Sequence, residues 1–595
     1  MAEVQIKIGG MTCIDCARHL TGALEHVDGV QAASIDYRAG TGRVELVPAV
    51  IADATVNAAL VKAVERAGYH AEVIDIPNAT PTNPSRPINI LGTGRSDTPS
   101  PVGELPTGQS IIHTPRDRVA DFDMLIIGTG GAGVAAAIQA SGMGATVGIV
   151  EAGALGGTCV NVGCIPSKTL LEAAAHVHAA RRGFPGVAPC TPVVEWREVI
   201  RQKDALVDEL RGAKYADVLA SYPAIVRLEG RAQFLTSASG IVHVRIGDQE
   251  HTARKVVVAT GSAPSIPAIP GLDTVDALDS TSAMTLDALP ASMLVLGGGP
   301  VGVELGQMFA RFGVKVVIVQ RGAHLLPAED PEIAQVLREA LEAEGIEVHT
   351  GTAAVRVEAA GNEVIVHVNQ GSLAGELRAA RLLIASGRHP NTRALGLEAV
   401  GVSLSPTGFV QVNAMLQTTN PDVYAAGDVT GGPAYVYVAA AGGRIAAENA
   451  INDLRATGRE SSELRELDLS VVPSVTFTMP QVGSVGLTEH AARAAGMHID
   501  VSVLDMKHVP RALVSYDQRG LVKLVTEAGS GRIIGVQAVA TNAGEFMGEA
   551  ALAVRFGLTA RDISGTLHPY LTWGESLKLT AQGGSAGVAK LSCCA

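Results

Sequence analysis

The sequence lacks any excess of basic residues. It has 46 Lys and Arg against 59 Asp and Glu, a formal net charge of −13. This balance argues against nucleic acid or an anionic membrane surface as the main partner, because both carry negative charge. The chain also lacks a basic N-terminal segment followed by an apolar run, so we expect no secretory signal and a cytoplasmic location. Its 595 residues, 47% of them apolar, predict a large core divided among about three or four domains.

Cysteine is scarce as well. The seven cysteines stand at positions 13, 16, 159, 164, 190, 593 and 594, and six of them form close pairs. In a cytosolic chain this pattern indicates thiol chemistry or metal capture rather than a disulfide framework. Cys190 stands alone, and we predict that it is a small buried hydrophobe.

Charge is absent altogether from Met124 to Val150. A stretch of this length without charge can indicate a transmembrane helix. Four glycines crowd one point of it, however, at 128, 130, 131 and 133. We therefore interpret it as a strand, a Gly-rich turn and a helix of small residues, and we expect no stable membrane insertion.

The first 77 residues predict a small metal-binding domain. Residues 3–8 alternate as a strand, and Gly9-Gly10-Met11-Thr12-Cys13-Ile14-Asp15-Cys16 leads into a helix within a βαββαβ pattern. Two thiolates at a helix N-terminus can bind a soft metal ion. A thioredoxin-type redox motif is the alternative, but it would follow a different strand order. The GMTCxxC loop on this pattern resembles heavy-metal-associated domains, which implies that Cys13 and Cys16 are metal ligands.

A linker and a dinucleotide-binding motif follow. Residues 78–120 are rich in Pro, Thr, Ser, Gly and Asn and predict a flexible linker. Beyond it, a short apolar strand leads to Gly128, Gly130 and Gly133 at the start of a helix, and the next strand ends at Glu151. These glycines allow a pyrophosphate to approach the helix N-terminus, and the acid can bind ribose hydroxyls. This copy suits FAD.

The same motif recurs with an informative difference. Its glycines are Gly297, Gly299 and Gly302, but the position equivalent to the acid is Gln320, followed by Arg321. A carboxylate would repel the 2′-phosphate of NADPH, whereas a neutral side chain beside an arginine accepts it. The second copy therefore predicts NADPH rather than NADH.

Between the two copies stands a pair of cysteines, Cys159 and Cys164. In an ideal helix their spacing turns the second side chain roughly 140° past one full turn. A disulfide between them would require a distorted first turn, for which Gly163 and Pro166 are suited. Two dinucleotide sites around such a pair imply an electron path from nicotinamide to flavin to cysteines.

From Asp121 onward the chain resembles the flavin-dependent pyridine nucleotide–disulfide oxidoreductases, the family of glutathione reductase and dihydrolipoamide dehydrogenase. The resemblance rests on GGTCVNVGCIPSK at 156–168, VATG at 258–261 and YAAGD at 424–428. It implies that Cys164 faces the flavin as the charge-transfer thiolate and that Cys159 meets the substrate. It also implies a homodimer in which the C-terminal domain completes the partner's active site. The other residues implied at the FAD site are Lys168 with its acidic partner Glu304, Asp428, Ala132, Gly153, Thr158, Ala232, Thr260, Gly261, Gly427 and Val436.

The C-terminal segment departs from the disulfide-reducing members of that family. Their acid–base dyad is His-x4-Glu, whereas here Trp573 stands five positions after His568 and Glu575 stands five positions after Tyr570. A phenol in the place of the imidazole is a poor proton partner for a thiol near neutral pH. His568 remains the alternative base.

The last residues add a second thiol pair, Cys593 and Cys594. Vicinal cysteines on a small-residue tail can present two thiolates to a soft ion, while a disulfide between them would close a strained ring. The HPYLTWGE and SCCA segments resemble the mercury(II)-reducing branch of the family. That resemblance implies that these cysteines pass Hg(II) to Cys159 and Cys164 of the other subunit, with Tyr570 beside the ion. It also suggests Tyr215, for which an ordinary helix aromatic is nearly as good an interpretation.

Together these observations predict an α/β protein with two Rossmann-like domains, an α+β dimerisation domain and a ferredoxin-like metal-binding domain. The resemblance implies reduction of thiol-bound Hg(II) to volatile Hg(0), with the ion handed over by a membrane mercury transporter. The alternatives are a disulfide or dihydrolipoamide-type reductase with a metal-binding appendage and a non-catalytic soft-metal chaperone. The predicted domains are 1–77 (metal binding), 78–120 (linker), 121–270 and 386–467 (FAD), 271–385 (NADPH) and 468–595 (dimerisation and tail).

Overall fold

A computed structural model of the chain describes residues 3–9, 20–21, 24, 27, 30–36, 41–46, 59–64, 70–74, 120–371, 373–456, 464–584 and 587. The predicted metal ligands Cys13, Cys16, Cys593 and Cys594 lie outside these residues, as does the predicted linker apart from Ala120. The chain divides into two compact units, Met1–His113 and Thr114–Ala595.

The strands alternate with helices along most of the chain. The strands are β1 (Glu3–Gly9), β2 (Val30–Asp36), β3 (Thr41–Leu46), β4 (His70–Ile74), β5 (Phe122–Ile127), β6 (Val147–Glu151), β7 (Ile225–Glu229), β8 (Ala232–Ala238), β9 (Ile241–Ile246), β10 (Gln249–Val258), β11 (Ser262–Pro264), β12 (Ser292–Leu296), β13 (Lys315–Val319), β14 (Glu347–His349), β15 (Thr352–Ala360), β16 (Glu363–Gln370), β17 (Leu373–Ala379), β18 (Arg381–Ile384), β19 (Arg388–Pro390), β20 (Val423–Ala425), β21 (Ser474–Thr476), β22 (Gln481–Gly486), β23 (Ile499–Asp505), β24 (Leu521–Glu527) and β25 (Ile533–Ala540).

The helices of the second unit are α1 (Gly131–Gly142), α2 (Gly157–Val162), α3 (Cys164–Arg182), α4 (Trp196–Arg211), α5 (Asp217–Ala220), α6 (Ser280–Ala283), α7 (Pro300–Arg311), α8 (Pro331–Ala343), α9 (Val436–Arg455), α10 (Glu489–Ala494), α11 (Pro510–Val514), α12 (Ala543–Arg555), α13 (Ala560–Gly565) and α14 (Glu575–Ala581). A π-helix, Gly212–Ala216, joins α4 to α5.

The first unit contains a four-stranded antiparallel sheet in the order β2-β3-β1-β4. Its core consists of alternate strand residues, Val4, Ile6 and Ile8, packed against buried leucines and valines that include Leu20 and Leu60. This strand order is that of a βαββαβ fold, in agreement with the predicted pattern.

The second unit contains one sheet for each Gly-rich motif. The first sheet is mixed, since β10, β9 and β8 pair antiparallel and its other strands pair parallel, and the second is all parallel. The first has the order β7-β6-β5-β10-β9-β8, with β20 pairing β10. The second has the order β14-β13-β12-β18. The continuous apolar runs of β5 and β12 are buried almost throughout, as expected for strands covered on both faces.

The uncharged stretch 124–150 forms β5, α1 and most of β6, as predicted. Helix α1 packs closely on α9. The close approach requires glycine at position 443, because a Cβ there would stand only 2.0 Å from the Ala132 carbonyl oxygen. Among the helices of the described residues, none has both the length and the apolarity needed to cross a membrane.

A five-stranded sheet in the order β21-β22-β25-β24-β23 forms the last part of the described chain. Helices α12 and α14 contribute Phe546, Met547 and Leu577 to its core. The predicted α/β fold class is therefore confirmed. The prediction for Cys190 is wrong: this cysteine is exposed in the loop after α3, where its N–H donates to the Ala180 carbonyl at 2.9 Å.

Candidate active site

The cysteine pair lies on either side of a break between two helices. Cys159 is in α2, Gly163 interrupts the helical path with φ −127° and ψ −108°, and Cys164 begins α3. A Cβ on Gly163 would stand 2.9 Å from the Thr158 carbonyl oxygen, so the break requires glycine. The predicted distortion therefore occurs at Gly163, whereas Pro166 lies within the first turn of α3.

Both cysteines are free, and a hydrogen bond joins their side chains. A hydrogen bond to Cys164, together with burial, raises the pKa of Cys159 far above that of an ordinary thiol. The same hydrogen bond and, against the effect of burial, the positive charge of Lys168 lower the pKa of Cys164 to about 7. The arrangement thus favours Cys159 as the donor and the thiolate form on Cys164.

Lys168 belongs to a compact cluster one turn beyond Cys164. Its Nζ lies 2.7 Å from Glu304 Oε2 and 4.6 Å from the centroid of the Phe477 ring. Glu304 Oε1 accepts the backbone N–H of Phe477 at 2.8 Å. Phe477 was not among the predicted site residues, because no local sequence signal joins it to Lys168.

The first Gly-rich turn is held by backbone contacts that exclude side chains. Gly128 has φ +110°, and a Cβ there would stand 2.4 Å from the Ala259 carbonyl oxygen. A Cβ on Gly133 would stand 1.9 Å from the Gly128 oxygen, and one on Gly157 would stand 2.6 Å from the Gly130 Cα. The last contact joins the turn directly to the helix that carries Cys159.

Glu151 lies beside this turn at the end of β6. Its carboxylate accepts the Thr129 hydroxyl and, at 2.8 Å, the Gly153 N–H. Thr129 Oγ1 in turn accepts the Gly156 N–H at 3.1 Å, so one network joins the acid, the Gly-rich turn and the start of α2. Thr129 was missed in the sequence analysis, although its place between two motif glycines could have indicated it.

The remaining predicted FAD residues lie on segments around the same turn. Gly427 has φ +80°, and a Cβ there would stand 3.2 Å from the Ala132 Cβ. Asp428 Oδ2 accepts the Ser262 hydroxyl at 2.7 Å, and Val436 Cγ2 lies 3.0 Å from the position of a Cβ on Gly131. Ala232 is the first residue of β8. Two residues before it, Gly230 donates its N–H to the Glu151 carbonyl at 2.8 Å, which links this segment to the acid at the end of β6.

Two observations show that these residues fit a bound dinucleotide. Thr260 Oγ1 is buried and has no hydrogen-bond partner among the described residues, so it offers an unused polar group next to the turn. At Gly261, a Cβ would point into open space, leaving room for a ligand to approach the backbone.

The second Gly-rich turn repeats the geometry of the first. Gly297 has φ +125° with a Cβ position 2.2 Å from the Ala385 oxygen, and a Cβ on Gly302 would stand 1.9 Å from the Gly297 oxygen. Around Gly299 there is open space. Gln320 Oε1 accepts the Gly298 N–H at 3.0 Å, and Arg321 is exposed. Residues at this turn therefore also fit a dinucleotide, and the exposed Arg321 places a positive charge close to the turn in sequence.

Tyr215 lies in the π-helix and reaches the redox helices. Its ring atoms stand 3.2–3.3 Å from the position of a Cβ on Gly156. Burial and the nearby Cys159 and Cys164 raise its pKa. The structure thus brings Tyr215 to the cysteine pair, and π-helical turns are frequent at functional sites.

Tyr570 lies in a different part of the fold, in the exposed turn before α14. Its side chain is 49% exposed. The buried Glu575 carboxylate accepts the N–H of Leu571, at 3.2 Å, and so supports this turn. His568 is instead held by Glu549, with Nε2 2.7 Å from Oε1, and its Nδ1 lies 3.0 Å from the Thr566 carbonyl oxygen. Both ring nitrogens of His568 therefore already contact acceptors within the chain.

One acidic cluster outside this site surrounds a buried lysine. Asp330, Glu332 and Glu489 lie close enough together to hold a cation. The ammonium of Lys523, which is 1% exposed, lies among them, 2.8 Å from Asp330 and 2.7 Å from Glu489. We interpret this cluster as a structural link between α8 and the C-terminal sheet.

Comparisons with known proteins cover nearly the whole chain. Residues 122–443 match the pyridine nucleotide-disulphide oxidoreductase family, 472–581 match its dimerisation domain, and 5–70 match the heavy-metal-associated domain. The chain is 41% identical to a mercuric reductase of Shigella flexneri over 604 aligned residues, covering 99% of both chains. It is 44% identical to a mercuric reductase of Streptomyces lividans over 477 residues, 80% of this chain and 98% of that one.

Solved structures agree at the level of fold. The HOCl-induced flavoprotein disulfide reductase RclA of Escherichia coli, in its Cu(II) complex, matches with a TM-score of 0.67 at 30% identity, covering 78% of this chain and 99% of that one. LpdA of Mycobacterium tuberculosis matches with a TM-score of 0.68 at 28% identity, covering 77% and 99%.

Proposed function

Because the chain belongs to the pyridine nucleotide-disulphide oxidoreductases and, within them, to the mercuric reductases, we propose that it is an NADPH-dependent flavoenzyme that reduces thiol-bound Hg(II) to volatile Hg(0). The observation that carries the chemistry is the cysteine pair, in which one hydrogen bond lowers the pKa of Cys164 and raises that of Cys159. Its biological role is mercury detoxification.

NADPH and FAD supply the hydride and the two-electron path of this reaction. The first Gly-rich turn, Glu151, Thr260 and Asp428 would hold FAD. The second turn would hold NADPH, with Arg321 toward the 2′-phosphate and Gln320 supporting the backbone of the turn. Lys168 and Glu304 would lie near the flavin.

Cys159 and Cys164 would bind the substrate ion as two thiolates. Hg(II) is a soft ion that prefers sulfur, and its binding would release the proton of the hydrogen bond between the two cysteines. Two electrons then convert Hg(II) to Hg(0), which leaves because a neutral atom binds thiolate weakly. Tyr215 lies against Gly156, immediately before the helix of Cys159, and this supports a place for it beside the ion. Tyr570 would approach from the partner subunit.

The dimerisation domain supports a homodimer. In the dimer, Cys593 and Cys594 of one subunit would deliver the ion to the inner cysteines of the other. Cys13 and Cys16 would capture it first, from a membrane mercury transporter, in the cytoplasm.

The deciding experiment measures NADPH oxidation by the purified flavoprotein with Hg(II) and an excess of a small thiol. We expect oxidation that requires Hg(II), release of volatile mercury and a visible flavin spectrum. The double variant Cys159→Ser/Cys164→Ser is the control, and it should bind flavin but release no mercury. Rapid turnover of a disulfide without mercury would favour the alternative, a disulfide or dihydrolipoamide-type reductase. Metal binding without NADPH oxidation would indicate a chaperone.

A further inference from the structure

Phe477 makes two contacts that converge on one ion pair. Its backbone N–H donates to Glu304 Oε1 at 2.8 Å, and its ring faces the Lys168 ammonium with the centroid 4.6 Å from Nζ. The other carboxylate oxygen of Glu304 lies 2.7 Å from the same Nζ. Lys168, Glu304 and Phe477 come from distant parts of the chain, and each of them contacts the other two.

The segment that carries Phe477 is held firmly against α7. Gln307, which is 1% exposed, accepts the Met479 N–H and donates to the Met479 carbonyl, both at 2.8 Å. Gln307 lies three residues after Glu304, so both side chains leave the same face of the helix. Helix α7 therefore holds the backbone on either side of Thr478, and Phe477 has little freedom to move away from Lys168.

Ordinary core packing does not explain this aromatic ring. The Phe477 side chain is 40% exposed, whereas Phe309, on the same α7, is fully buried in the core. A partly exposed ring that faces an ammonium at this distance is a cation–π arrangement, and its attraction increases where water is excluded.

We propose that Phe477 is a positioning residue for the redox centre: its ring and its backbone N–H together fix the Lys168 ammonium and the Glu304 carboxylate in one geometry beside the flavin. The inference deepens the proposed function and rests on it for the presence of the flavin. It also gives the segment after β21 a role in the active site of its own subunit.

The first test measures the accessibility of Lys168 in the full-length holoenzyme. An amine-labelling reagent is applied, and mass spectrometry compares the labelling rate of Lys168 with that of Lys507, whose side chain is 58% exposed and serves as the internal reference. In Phe477→Leu, which keeps an apolar side chain and the backbone N–H, we expect this ratio to rise about twofold to fivefold. In Phe477→Tyr, which keeps an aromatic face, we expect it to stay at the wild-type value.

The second test measures the midpoint potential of the flavin in the same proteins. A fixed cation favours the more negatively charged, reduced flavin, so Phe477→Leu should shift the potential to more negative values. In a Lys168→Met background the same substitution should have no further effect. Neither measurement requires mercury, so failure of the proposed substrate would leave both results interpretable.

The proposal is overturned if Phe477→Leu is folded and flavin-loaded but leaves both the labelling ratio and the potential unchanged. It is also overturned if Phe477→Tyr changes both as much as Phe477→Leu does, because the ring face would then be irrelevant. Dissociation of the dimer in Phe477→Leu with unchanged Lys168 labelling would overturn it too, by assigning the ring to the subunit interface.

Discussion

Lys168 and Glu304 form an ion pair of 2.7 Å although they lie 136 positions apart in the sequence. Lys168 lies one turn after Cys164 on α3, while Glu304 is almost buried on α7. The pair therefore joins the helix that carries the thiolate to the helix that opens the second dinucleotide site.

Lys168→Met should raise the pKa of Cys164. After the hydrogen bond from Cys159, the Lys168 charge is the next influence that lowers this pKa to about 7, and the Glu304 charge raises it. Without the Lys168 cation, the negative charge of Glu304 is no longer offset, so the Cys164 thiolate should form only at higher pH. The measurement is a pH titration of the thiolate–flavin charge-transfer absorbance in the reduced holoenzyme. Lys168→Arg keeps the charge and should titrate near wild type; an equal midpoint in the Met variant would contradict the argument.

Gly299→Ala should weaken NADPH binding without destabilising the fold. A Cβ at Gly299 meets nothing within 4 Å, so the change in unfolding free energy should stay within about 0.5 kcal/mol. The added methyl would nevertheless obstruct the approach of a pyrophosphate to the backbone, and loss of a hydrogen bond to a charged group should raise KM for NADPH about tenfold. Steady-state kinetics and thermal unfolding measure the two effects.

Gly302→Ala is the matched comparison. Its Cβ would stand 1.9 Å from the Gly297 oxygen, so this variant should lose about 1–3 kcal/mol of stability. If both variants lost stability equally, the space around Gly299 would not be open, and an unchanged KM for NADPH in Gly299→Ala would mean that it is not a ligand site.

These two glycines also illustrate what the sequence alone could predict. The spacing of a Gly-rich turn between a strand and a helix is a local property, so the sequence predicted both Rossmann-like motifs to within a few residues of the observed strands. The contacts that complete the site are not local. Phe477 lies 173 residues after Glu304, and the Nε2 of His568 pairs with Glu549, which lies 19 residues before it on α12. Only the packed fold shows such pairs.

Cys190 is an instructive failure of sequence reasoning. Cysteine is among the most frequently buried residue types, and on that basis the prediction was reasonable. The loop after α3, however, contains Pro185, Pro189 and Pro192 and forms no regular element from Ala188 to Glu195. A segment without ladder partners lies on the surface, and its cysteine is exposed with it.

Tyr570→Phe should slow mercury-dependent turnover while leaving flavin reduction by NADPH unchanged. Because the side chain is 49% exposed, stability should change by less than about 0.5 kcal/mol. In the proposed mechanism the hydroxyl would contact the reacting ion, and its loss should cost about tenfold in kcat/KM for Hg(II). Stopped-flow flavin reduction and steady-state mercury kinetics separate the two steps.

Tyr516→Phe is the control for this change. Tyr516 is 55% exposed and packs edge-to-face on Phe184, away from the cysteine pair in the proposed mechanism. The Tyr516→Phe variant should keep wild-type kinetics. An equal loss of kcat/KM for Hg(II) in both variants would contradict a specific role for Tyr570.

Lys523→Met should destabilise the protein strongly, and in a pH-dependent way. In the wild type, burial opposes ionisation of Asp330, but Lys523 and two backbone N–H groups outweigh it and lower the pKa. Lys523 also lowers the pKa of Glu489. Because both pKa values are depressed in the folded state, their stabilisation is present above the ordinary carboxyl range and is lost as the pH falls through the depressed values.

Without the ammonium, the same carboxylates are crowded together and their pKa values should rise. The pH dependence then reverses. The free energy of unfolding of the variant should be closest to that of the wild type in acid, and it should fall about 3–5 kcal/mol below the wild-type value as the pH rises to neutral. Denaturant unfolding at a series of pH values measures the difference. Lys507→Met removes an exposed partner of Asp505 and should cost at most about 1 kcal/mol. Parallel pH profiles for Lys523→Met and wild type would show that Lys523 does not set the ionisation of this cluster.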